Sequence, residues 1–169
     1  MARPVLLGLL LCCTSAWSEP VQIPFGGLTL NGELQPGPAA PDAGEPIFLI
    51  VHGTWAHQGM EIITALQSAL AENGYASLAI TLSLGIDDRR GFLDCNAPIR
   101  ARHEAALPEI GAWLDRLRMD GWREVILVGH SRGAAQAALF QQTTSAEIVR
   151  HMLLLGPMVW REEEVRSAY

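Results

Sequence analysis

The stretch "EVILVGHSRGAAQAALF", Glu124 to Phe140, joins an apolar, β-branched run to an alanine-rich one through Gly129-His130-Ser131-Arg132-Gly133. The first run suits a strand buried in a sheet, and the second suits a helix. A chain passing from one to the other here must turn sharply at Ser131. Gly129 and Gly133 lack Cβ atoms and permit close packing around a strained residue between them. The helix start presents free backbone N–H groups and the positive end of its dipole, so an oxyanion beside Ser131 would be stabilised there, with the Arg132 N–H as a donor. A bare G-x-S-x-G pattern says little, and its competing reading is a serine that merely caps the helix. The buried strand before it and the helix after it favour a nucleophile.

An oxyanion site needs a second donor from a neighbouring strand end. Upstream, "IFLIVHGTWAH" begins with Ile47 to Val51, apolar at every position as in a strand buried on both faces, and ends in His52-Gly53-Thr54-Trp55. The candidate donor is the Thr54 N–H, with that of Trp55 next. Around these two turns the chain alternates. "VQIPF" and "LTLNGEL" are strand-like and separated by Gly26-Gly27, and "QPGPAAPDAGEP" is a Pro/Gly loop. A helix is expected over 60–73 with Ile62, Leu66, Ala69 and Leu70 as its apolar stripe. "YASLAITL" is a strand, 83–96 is a polar loop, and a long helix is expected over 98–119, with Pro108 kinking it or marking a restart. A helix over 132–142, the strand "HMLLLGP" and the start of a helix in "VWREEEVRSAY" complete the pattern. This alternation predicts an α/β fold, a mostly parallel sheet with helices on both faces.

The parts "IVHGTW", "GYASLAITLSLGIDDRRG" and "VGHSRGA", in that order, resemble the α/β-hydrolase superfamily, and most closely small exported bacterial esterase- or serine-peptidase-like proteins. The resemblance implies Ser131 as nucleophile, the backbone N–H groups of Thr54 and Arg132 as oxyanion hole, and a triad in the chain order Ser, acid, His. The chain departs from that order. No Asp follows Ser131, and the later Glu residues are Glu147 and Glu162 to Glu164, the last three reading as a solvated helix start. The one later histidine, His151, opens the strand "HMLLLGP"; sites in such sheets lie at the carboxyl ends of strands, so His151 is expected at the opposite edge. His130 points away from its neighbour, His52 is expected to support the strand-end turn, and His57 or His103 would require a rearranged triad. The expectation is therefore a C-terminally truncated chain that holds the nucleophile and oxyanion hole without the acid and base. Such a chain would be nearly inactive, since loss of triad members leaves only about 10³–10⁴-fold over water. Its last strand would expose an unpaired edge.

Composition narrows the remaining possibilities. In 169 residues, Lys and Arg number 12 against 18 Asp and Glu, a net charge of −6 that argues against a nucleic-acid surface. "MARPVLLGLLLCCTSAWSEP" reads as a signal peptide, 1–18, with Ala16 and Ser18 placed before a cleavage site at Glu19, and leaves 19–169 as the N-terminal portion of one domain. Its apolar run is too short for a stable membrane span of about 20 residues. The protein is expected to be exported, periplasmic or secreted, with a lipid anchor through Cys12 or Cys13 as the lesser alternative. Cleavage leaves Cys95 alone, either a buried thiol or half of a disulfide with another chain. The loop residues Asp87, Asp88, Arg89, Arg90 and Asp94 select a charged substrate or, as favoured here, form local ion pairs at the surface. The histidines lack ligand spacing, and neither a dinucleotide fingerprint nor a phosphate loop is present, so no metal and no cofactor are expected. The reading is a serine hydrolase acting on a small-molecule ester or amide by acyl transfer through Ser131, with a non-catalytic binding protein of the same fold as the alternative. No partner protein is indicated.

Overall fold

The computed structural model describes residues 18–38, 40–93 and 102–157. The expected signal peptide up to residue 17, Asp94, Cys95, the first part of the expected long helix and Glu162 to Glu164 lie outside the described residues. Strands β1 (Glu19–Phe25) and β2 (Leu28–Gln35) form an antiparallel hairpin. Its two-residue turn puts Gly26 at φ 55° and Gly27 at φ 82°, the left-handed pair that matches strand twist.

Strand β3 (Ile47–Val51) is followed by helix α1 (Glu61–Glu72) and strand β4 (Ala76–Thr81). Helix α2 (Ala106–Met119), strand β5 (Val125–His130), helix α3 (Arg132–Thr144) and strand β6 (Val149–Leu155) complete the fold. Among the described residues the sheet is six-stranded in the order β1-β2-β4-β3-β5-β6. β4, β3, β5 and β6 run parallel, and β2 joins β4 antiparallel. The chain steps from β3 to β4 on one side and then crosses back over β3 to β5. Successive right-handed crossovers in opposite directions put their helices on opposite faces, so the topological switch point lies between the carboxyl ends of β3 and β5.

Alternate side chains of each strand serve the two faces. Phe48, Ile50, Ala79 and Val128 pack under Ile63 of α1, with Met60, Leu66 and Leu70 around them. On the other face Leu49, Val51, Leu78 and Leu127 meet Ile110, Trp113 and Leu117 of α2 and Phe140 of α3. The expected stripe of α1 is corrected in part: Ile62 and Ala69 face solvent, and Ile63 and Gln67 are the buried positions. Gln67 passed for a surface residue in the sequence because its burial rests on hydrogen bonds to the Glu33 and Ser77 carbonyls and the Ser77 hydroxyl. Pro108 lies in the first turn of α2, where a missing N–H costs no helical hydrogen bond, so the helix begins there unkinked after a 3-10 turn at His103–Ala105.

β6 lies at the sheet edge, with Met152, Leu153, Leu154 and Leu155 all exposed. No helix among the described residues is long and apolar enough to cross a membrane. Trp113, wholly buried, is the centre of the larger core. Gly32 of β2 makes room for it, since a Cβ there would lie 3.1 Å from the indole. Trp113→Ala is expected to cost about 3–5 kcal/mol of stability. Urea denaturation checks this, as a drop in midpoint with little change in slope.

Candidate active site

Ser131 leaves β5 at φ 54° and ψ −118°, a conformation that costs a non-glycine residue about 1–3 kcal/mol. Its side chain makes no capping hydrogen bond to α3, which removes the reading of a helix-capping serine. The strain is held from several sides. The Ser131 N–H donates to the Leu155 carbonyl at 2.9 Å, and the Ala134 N–H donates to the Ser131 carbonyl at 3.1 Å. A Cβ on Gly129 would overlap Ala134 and the Gly133 carbonyl. One on Gly133 would overlap the carbonyls of Val51 and His52. The first turn of α3 therefore sits directly on the ends of β3 and β5, and only glycine at both positions allows it.

The loop after β3 packs on this turn. A Cβ on Gly53 would lie 3.2 Å from Ser131 Cβ and 3.3 Å from His130 Nδ1. Thr54 follows, exposed, and Trp55 takes φ 57°. The Ala56 N–H closes the turn on the Gly53 carbonyl at 3.4 Å. The backbone at 53–55 and the start of α3 thus flank Ser131 from two sides, at the switch point of the sheet.

Two side chains hold this loop to the end of β4. His52 is buried; its Nδ1 lies 2.7 Å from the Gly53 carbonyl, and its Nε2 accepts the Leu82 N–H at 3.0 Å. Those partners fix the neutral tautomer with the proton on Nδ1. Desolvation by burial, with the nearby charges of Arg89 and His57 adding to it, lowers its pKa to about 4 against the opposing hydrogen bond to Gly53. His52 is a strut, as the sequence suggested.

Arg89 is the second. It is 6 % exposed, which corrects the expectation that this loop forms only surface pairs. Its Nη1 donates to the Leu82 carbonyl at 2.6 Å, and its Nη2 to the carbonyls of Trp55 and Ala56 at 3.1 and 2.6 Å. Burial pulls its pKa below the ordinary arginine value, and the charge of Glu109 opposes this. Glu109, buried at the start of α2, accepts the Ser83 N–H at 2.7 Å and the Ser83 hydroxyl; burial raises its pKa against those bonds and against Arg89. Arg90 and Asp88 form the exposed ion pair expected of the loop, at 3.0 Å. Asp87 accepts the Thr29 N–H, and Asn31 holds the Arg89 carbonyl. Sequence reasoning named Arg89 only as a loop charge and missed its burial, and it missed Glu109. The signal for Glu109 was its spacing, four residues before Trp113 and eight before Leu117 on one helix face.

No histidine among the described residues hydrogen-bonds the Ser131 hydroxyl. His130 lies against Gly53. His57 accepts the Gly59 N–H and packs edge-on to Phe92 at 5.1 Å. His103 sits in the 3-10 turn before α2, its pKa lowered by burial and by the charge of Arg132. His151 is exposed and pairs with Ile126, at the far end of the strand from Ser131, as expected. A cleft of about 770 Å³ between Arg118, Trp122, Arg123 and Arg150 opens at the amino ends of β5 and β6, away from the serine. Among the described residues no group of acidic, His and Cys side chains is placed to hold a metal.

A doubly wound sheet with a strained serine at its switch point defines the α/β-hydrolase class. The model of the Alpha/beta hydrolase family matches residues 48–168, and the chain belongs to that family. Comparison with curated proteins gave no match. Among solved structures, it is similar to Est1E from Butyrivibrio proteoclasticus at 24% identity and a TM-score of 0.65, over 82% of this chain and 51% of that one. Est1E with ferulic acid bound matches at 25% identity and a TM-score of 0.67, over 81% and 52%. A cold-adapted esterase from an Arctic intertidal metagenomic library matches at 22% identity and a TM-score of 0.59, over 76% and 56%. The chain spans about half the length of these structures.

The buried, neutral His52 has a consequence for stability. In the unfolded chain it takes a proton near its ordinary value of 6.5; in the fold it resists until about pH 4. Its contribution is full above pH 6.5 and is lost as pH falls towards 4, on the order of 3 kcal/mol. Glu109, with a raised value, contributes the opposite slope, so the comparison between wild type and His52→Gln isolates the histidine. The variant is expected to be less stable at pH 7 and to lose less stability between pH 6.5 and 4, read from urea unfolding at each pH.

Proposed function

We propose that this chain carries the nucleophile and oxyanion site of a serine hydrolase that cleaves an ester or amide bond by acyl transfer. The observation that carries the reading is the backbone of Ser131, held at positive φ with no capping hydrogen bond from its side chain and the Gly53 backbone against its Cβ. In this mechanism Ser131 Oγ attacks the carbonyl carbon of the substrate and its proton passes to a base. The N–H groups of Thr54 and Arg132 donate to the oxyanion, with Trp55 N–H as the lesser candidate, and the helix dipole of α3 favours the same charge. The tetrahedral intermediate collapses, the alcohol or amine leaves with a proton, and water releases the acyl group by the same steps in reverse.

The esterases among the similar structures support an ester, and the ferulic acid bound to Est1E supports a small-molecule substrate. No hydrogen bond joins a histidine or carboxylate side chain to the Ser131 hydroxyl among the described residues, so in this reading the base and acid are assigned to residues outside them. The 169 residues expressed alone are expected to be nearly inactive. In the full-length protein, hydrolysis of p-nitrophenyl esters and labelling by a fluorophosphonate are both expected, and both are expected to vanish in Ser131→Ala. Labelling that survives this substitution removes the nucleophile assignment. A full-length protein that neither hydrolyses nor labels, yet binds esters, favours the alternative, a non-catalytic binding protein of the same fold.

The reading includes export, to the periplasm or medium, rather than a lipid anchor. It rests on the sequence of residues 1–18, a short apolar run followed by Ala16 and Ser18. Mass spectrometry of the protein recovered from its native host is expected to give Glu19 as the mature N-terminus. An N-terminal acylated cysteine would show the lipoprotein form instead.

A further inference from the structure

The reading above leaves open what fixes the second oxyanion donor. Thr54 is exposed in the loop after β3, and Trp55 beside it, also exposed, is held at positive φ. Such a segment samples other conformations unless it is tied from outside. We propose that Arg89 is the positioning residue of the oxyanion loop: its guanidinium bridges the end of β4 to the turn after β3 and so aims the Thr54 amide at Ser131.

The geometry is specific. One arm of the fork, Nη1, reaches the Leu82 carbonyl at 2.6 Å, and the other, Nη2, reaches the Trp55 and Ala56 carbonyls at 3.1 and 2.6 Å. The accepting carbonyls on the loop side are those of the two residues directly after Thr54. The guanidinium is buried, and its Nε–H has no partner among the described residues, so the interior pays a desolvation penalty for it. Glu109 supplies a compensating negative charge from α2, itself held by Ser83. Asn31 of β2 donates to the Arg89 carbonyl at 3.0 Å and anchors the arginine's own backbone. His52 ties the same two segments through the Leu82 N–H. A planar, two-armed donor is what this bridge requires. A lysine in its place keeps the charge and loses the simultaneous reach.

The catalytic consequence rests on Ser131 being the nucleophile; the structural consequence does not. The test therefore uses two readouts on the full-length protein, for wild type, Arg89→Met and Arg89→Lys. Amide hydrogen exchange is expected to speed up about tenfold or more over 53–57 in Arg89→Met while β3 and β5 keep their protection. Ester hydrolysis is expected to lose about 10²-fold in kcat, the size of one lost oxyanion donor, with KM changed less than about threefold. Arg89→Lys is expected to fall between the two in both readouts, and it serves alone if the methionine variant does not fold. Unchanged exchange over 53–57 overturns the bridge. Faster exchange with unchanged kcat overturns its role in aiming the donor. If wild type neither hydrolyses nor labels, the reading of Ser131 fails, and hydrogen exchange alone decides the bridge.

Discussion

The backbone of α3 approaches the ends of β3 and β5 more closely than any side chain would permit. Gly129 and Gly133 have no room for a Cβ, and Gly53 has little. Those three absences bring the first turn of a helix, the exit of one strand and the exit of its neighbour into van der Waals contact. Ser131, caught between them, takes a strained conformation that the surrounding contacts outweigh. The fully buried strand Ile47–Val51 and the largely buried strand Val125–His130 supply the rigidity, because strands held by packing on both faces do not relax to relieve a local strain.

Polar groups do the rest at this edge of the sheet. His52, Arg89 and Glu109 are buried, and each is buried against a backbone group of another segment rather than against a surface partner. Charged groups in the interior are costly unless bonded, and an arrangement that leaves few donors unmet holds its segments in one relation. Here the segments so held are the loop after β3, the end of β4 and the start of α2, at the end of the sheet where β3 and β4 finish.

Much of this was legible in the residues. Apolar runs bounded by Gly, Asn or Pro marked the parallel strands, and G-x-S-x-G between a strand and a helix marked the turn at Ser131. The position of His151 at the wrong end of its strand followed from strand direction alone. The misses share one cause. Gln67, Arg89 and Glu109 are polar residues whose burial is made possible by backbone acceptors or donors distant in sequence, and no local pattern announces those partners. Ile62 and Ile63 are adjacent and equally apolar, so the face of α1 turned on a rotation of about 100° that the pattern left ambiguous.

The central claim is that Ser131 and the two backbone amides beside it form one acyl-transfer site. A crystal structure of the full-length protein after reaction with a phosphonate ester decides it. The phosphorus is expected on Ser131 Oγ, with one phosphonyl oxygen about 2.7–3.1 Å from the N–H groups of both Thr54 and Arg132. Phosphorus bonded to another residue, or an oxygen on Ser131 turned away from both amides, would contradict it.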